Sequence, residues 1–158
     1  MNKIKVGRLL LAGFATLIVF ILLEVIVEGF FFNALFSVGK WGLPQYSPPR
    51  WGIANQVLNI SLALLNSIMM IWLYAALRPM FGVGPKTALI ASGFAFAFIF
   101  SLGINFANLG FYPIQPALIE LFAELIELPL ALLAGAYVYE GGWEENDQPA
   151  TTLPRPGL

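Results

Sequence analysis

The chain has 158 residues, of which 59% are hydrophobic and 11% charged, with a mean hydropathy of +0.80; an ordinary soluble domain is about 45–50% apolar and about 25% charged, so a soluble fold of this size could not hide the apolar surface. The formal net charge of −1 carries no basic, aromatic-interleaved patch, which sets nucleic-acid binding aside. The lack of any cysteine or histidine removes disulfides, thiolate nucleophiles, sulfur-ligated metals and all imidazole chemistry, including His-ligated zinc and haem.

One domain is expected from the length, with spans of roughly 20 residues joined by short loops using nearly all of it. Residues 1–8 form a basic N-terminus containing Lys3, Lys5 and Arg8. The first span follows over about 9–36 and passes through Phe30, Phe31 and Phe32. Its apolar run is longer than the roughly 7–15 residues of a signal-peptide core and continues past Ala12 to Ala15, so cleavage is not expected.

Gly39, Gly42, Pro44, Pro48 and Pro49, with Trp41, Tyr46 and Trp51, predict a loop at the membrane interface, where amphipathic rings are favoured. Ser47 before Pro48 suits a helix start, with a capping hydroxyl and a proline whose missing N–H is harmless there. The second span covers about 51–77. Arg78-Pro79 and Gly82-Val83-Gly84-Pro85-Lys86 then predict a stop and a turn. That turn lacks the spacing and the preceding strand of a phosphate loop.

The third span covers about 87–108, and Gly110, Pro113 and Pro116 bracket a short turn before the fourth, about 116–139. The four spans lie within a transmembrane domain of residues 9–140. Residues 141–158 make a polar, proline-rich tail that cannot bury a core and is expected to be disordered.

Lys3, Lys5, Arg8, Arg78, Lys86 and Arg155 fall on one side of such a bundle, against Lys40 and Arg50 on the other. The positive-inside rule therefore places both termini in the cytoplasm. The fold class expected is all-α: a membrane four-helix bundle with N and C termini cytoplasmic.

Helical rise gives each polar residue a depth. Counting from Leu9 and back from Tyr139 puts Glu28 and Glu120 at the outer boundary, Glu24 and Glu124 roughly 6 Å inside it, and Glu127 about 10 Å inside. Glu24 and Glu28 share one helix face, as do Glu120, Glu124 and Glu127. Asn55, Asn59 and Asn66 form a stripe on the second span, while Ser101, Asn105 and Asn108 close the third. Intramembrane carboxylates are costly and usually face a bundle interior or a water-filled cavity. An acidic cup in the outer half above a dry inner plug is the natural construction. The plainer alternative leaves Glu28 and Glu120 at the headgroups and makes the Asn residues interhelical hydrogen bonds that hold the bundle together.

Carboxylates this close cannot all be charged at once, so protons are shared and can exchange for a cation. Glu24, Glu28, Asn55, Asn59, Asn105, Glu120, Glu124 and Glu127 are the candidate ligands. Glu127 is the sharpest, because Pro129 removes a nearby backbone hydrogen bond and frees a carbonyl. No cofactor and no catalytic residue are predicted. The Glu-x-x-His pairs of di-iron bundles are missing, and an all-oxygen site on Glu24, Glu124 and Glu127 would instead take a divalent cation such as Ca²⁺, Mg²⁺ or Mn²⁺. Gly13, Gly93, Gly103 and Gly135 permit close helix contact, and Phe94, Phe96, Phe98 and Phe100 spread rings around the third span, with lipid their default neighbour.

An N-terminal span ending in acidic residues, the Arg78-Pro79 and Gly82-x-Gly84-x-Lys86-Thr87 turn, and the closing Ala134-Gly135-Ala136-Tyr137-Val138-Tyr139 resemble small uncharacterised bacterial four-span membrane proteins. The resemblance implies a bacterial cytoplasmic membrane and carries over no functional residues. Three functions stay open: binding or transport of a cation, proton or small cationic ligand; a non-catalytic accessory subunit of a larger membrane complex; and a metal-dependent membrane enzyme. The partners expected are the lipid bilayer and a membrane protein or a second copy of the chain.

Overall fold

The computed structural model describes residues 5–27, 29, 52–111 and 114–143. Among them are four helices and no strand: α1 Val6–Val27, α2 Ile53–Phe81, α3 Pro85–Asn108 and α4 Ile114–Glu140. The first three are long and apolar enough to cross a membrane. α4 is 27 residues long and carries the glutamates. The interfacial loop over 37–50, Glu28, the Phe30–Phe32 end of the first span and the tail beyond 143 lie outside the described residues.

Local chemistry sets the helix ends. α2 runs through Arg78 and Pro79 instead of stopping at them, at the cost of the one bond that the Pro79 nitrogen cannot donate to the Ala75 carbonyl. The chain turns at Gly82, φ 86°, and Gly84, φ 133°, a left-handed backbone that a side chain would strain. Thr87 Oγ1 donates to the Gly82 carbonyl across this turn at 2.6 Å, and Pro85 takes the first position of α3. Pro116 lies within the first turn of α4 and not before it, again where a missing N–H is harmless.

α3 and α4 both end in Schellman motifs. The Phe111 and Gly110 amides donate to the Phe106 and Ala107 carbonyls at 3.1 and 3.0 Å, with Gly110 at φ 78°. The Gly142 and Gly141 amides donate in the same way to Tyr137 and Val138 at 3.0 and 3.2 Å.

α1 packs against α4 and α2, and α3 against α4 and α2; α2 and α4 form the short diagonal. The buried core is Ala12, Ile71, Tyr74, Ala75, Ala88, Ala91, Leu132, Ala136 and Tyr139. These residues belong to the N-terminal halves of α1 and α3 and the C-terminal halves of α2 and α4, so in an up-and-down bundle they share one end. Small residues bring the helices close there. Gly13 stands against Ile68, whose Cα would lie 3.1 Å from an added Cβ, and a Cβ on Gly135 would strike Thr16, Ile71 and the Ala12 carbonyl. Gly103 meets Leu121 on α4, whereas Gly93 faces open space.

At the opposite end α2 is loose, while Ala117 and Leu121 of α4 stay buried. Every residue of α2 from Ile53 to Leu62 is exposed, and all four buried residues of α2 begin at Ser67. The bundle is closed where α1 begins and α4 ends, and open at the other end. Phe94, Phe98 and Phe100 are exposed, giving α3 the greasy outer surface that a bilayer accepts.

Candidate functional site

At the open end, α3 and α4 enclose a groove of about 500 Å³ lined by Ile99, Leu102, Gly103, Phe106, Phe111, Ala117, Leu121 and two carboxylates, Glu120 and Glu124. Its size is that of a small-molecule site, roughly 300–1,000 Å³. Local sequence builds each wall. The Schellman motif at Gly110 folds Phe111 back onto Phe106, ring centroids 6.1 Å apart and edge to face, and both rings line the groove. Gly103 lets Leu121 approach and sets the floor. Glu120 and Glu124 are one helical turn apart on α4, so both reach the same cleft.

The glutamates are graded in burial. Glu120 is exposed, Glu124 half-buried, and Glu127 buried at 4% exposure. Oε2 of Glu124 is buried without a hydrogen bond among the described residues. Among the charges acting on Glu124, that of Glu127 on the same helix is the strongest, followed by Glu24 on α1 and Glu120. Glu24 is itself exposed on α1 and is not among the residues that line the groove. α4 passes Pro129 unbroken, and that proline leaves the Leu125 carbonyl without its usual helical donor.

The amides take no part in this grouping. Asn55, Asn59 and Asn66 are exposed on α2, and Asn105 is exposed on α3 outside the groove lining. Asn55 and Asn59 fail to join the carboxylates because α2 is unpacked over Ile53–Leu62, and Asn105 because it lies on α3 off the face that lines the groove. Glu28 lies outside the described residues. Among the described residues, no group of three or more carboxylates is arranged to hold a metal ion.

A second polar assembly lies at the closed end, where the sequence reading expected apolar filling. Arg78 Nε stands 2.9 Å from Glu140 Oε1, and Tyr74 donates its hydroxyl proton to the same oxygen at 2.9 Å. The Tyr74 oxygen in turn accepts the Gly84 amide at 3.3 Å, and Arg8 Nη1 donates to the Glu140 carbonyl at 3.2 Å. The Arg78 guanidinium also lies over the Tyr139 ring, 5.5 Å from its centroid. Glu140 thus ties α4 to α2 through its carboxylate and to α1 through its carbonyl, and Tyr74 adds the α2–α3 turn. In the sequence Arg78 counts as a topology charge, and Glu140 is the last residue of the transmembrane domain with no role assigned. The signal that could have found them is their position at the last turns of two helices whose C-termini share one end.

No family model, curated protein or solved structure matches this chain.

Proposed function

We propose that the chain is a bacterial cytoplasmic-membrane protein, with both termini in the cytoplasm, that binds a lipophilic organic cation in the α3–α4 groove in exchange for protons. The observation that carries this reading is the pair Glu120 and Glu124 in a groove whose other lining side chains are apolar. Carboxylates attract a cation, and burial strengthens that attraction by lowering the local dielectric. Phe106 and Phe111 offer ring faces to a cation and apolar area to its hydrocarbon body. A hard metal ion would need more oxygen ligands than the groove offers. The positive-inside rule turns the open end outward, so the site faces the periplasmic side.

Glu124, whose buried Oε2 has no hydrogen bond among the described residues, would hold the proton that the cation displaces. Cation and proton then compete for the same oxygens, so affinity rises with pH until the carboxylates are fully ionised. The test is equilibrium binding of tetraphenylphosphonium to the full chain in lipid nanodiscs. The wild type should bind and should weaken as pH falls. Glu124→Gln should bind about tenfold more weakly, the loss of one charge-assisted contact. Absence of wild-type binding, or equal binding by Glu124→Gln, would remove this reading.

A further inference from the structure

The open-end half of α2 leaves an ordered pattern of polar groups with nothing against it. Asn55, Asn59, Leu62, Asn66 and Met69 follow one another at steps of four, three, four and three, and all five are exposed. That alternation averages 3.5 residues, the repeat that keeps one seam facing a partner helix in a left-handed pair. No hydrogen bond engages the side chains of the three asparagines among the described residues. An amide facing hydrocarbon without a partner is costly, and interhelical hydrogen bonding is the usual remedy. Ser61, beside the seam, already satisfies its hydroxyl on the Val57 carbonyl at 2.7 Å.

We infer that this seam is a homodimer interface in which α2 of one copy packs in parallel against α2 of a second. The amide group selects the occupant. It is donor and acceptor at once, so it is its own complement. Insertion gives every copy the same orientation, so in a two-fold dimer each asparagine meets its own counterpart at the same depth. No charged residue lies on α2 before Arg78, so like charges do not oppose the symmetric arrangement. A different partner would have to present amides at the same steps and depths. The parallel pairing holds whichever side of the membrane the termini occupy, and it is independent of what the α3–α4 groove binds.

Because the chain has no cysteine, single-cysteine variants report on this surface without background. Oxidative cross-linking in native membranes should give strong dimers for Leu62→Cys and Met69→Cys. It should give little for Val57→Cys and Ile60→Cys, which are as exposed but lie off the seam. In detergent, Asn59→Leu with Asn66→Leu should weaken the dimer about tenfold, about threefold for each amide pair. Glu124→Gln should leave dimerisation unchanged. Cross-linking without the 3.5-residue periodicity, cross-links only to a different protein, or unchanged dimerisation of the Asn59/Asn66 variant would each overturn the inference.

Discussion

Glu140 shows how much one side chain can organise when its partners come from several helices. Its carboxylate receives Arg78 and Tyr74, and its backbone carbonyl receives Arg8. Removing one partner of a buried ion pair leaves the other charge uncompensated, at a cost of about 3–5 kcal/mol. The Arg78 side chain keeps 24% of its surface, against 8% for Glu140, so water takes up part of the loss. Glu140→Gln should therefore destabilise the chain by about 2 kcal/mol in reversible unfolding in bicelles, and Tyr74→Phe by about 1 kcal/mol. The double replacement Arg78→Met with Glu140→Leu should recover most of the first loss. This centre was hidden in the sequence because 62 positions separate Arg78 from Glu140 and no local motif links them. The glutamates of α4 were legible for the opposite reason. Their spacing alone puts them on one face, although spacing could not say that Glu127 is buried while Glu24 and Glu120 are exposed.

At the scale of elements, helix existence followed from apolar runs, whereas helix ends followed from backbone chemistry that proline signals misrepresent. Pro79 and Pro116 read as boundaries, yet each lies inside a helix: Pro116 in a first turn, where its missing N–H costs nothing, and Pro79 near a C-terminus, where the helix forgoes one bond. Glycine is the better guide, since Gly82, Gly110 and Gly141 all take positive φ just beyond a helix. Gly110 also shapes the groove by folding Phe111 onto Phe106. Gly110→Val should cost about 1–2 kcal/mol, from strain in the left-handed conformation, and should displace the Phe111 ring. Thermal unfolding reads the first effect. Weakened tetraphenylphosphonium binding with both carboxylates intact reads the second.

For the whole molecule, hydropathy made the helical architecture plain, with three helices long and apolar enough to cross a membrane. It could not show that α2 departs from its neighbours, because lateral packing depends on residue sizes on three helices together. The alanines and glycines near Gly135 and Ala88 let the closed end come together, and nothing comparable draws Ile53–Leu62 inward. Spin labels on single-cysteine pairs test this gradient. Ile60 with Leu102 should give a broader distance distribution than Leu77 with Leu89, which flank the turn at the closed end. A helix gripped at one end acts as a lever with its fulcrum at the last packed residue. With Ser67 as fulcrum, Ile53 lies about 20 Å out along the arm, so a tilt of about 5° sweeps the tip through about 2 Å. Small rotations at the tip therefore need not disturb the core, and the free arm of α2 can adjust its angle to whatever packs against it while the closed end stays fixed.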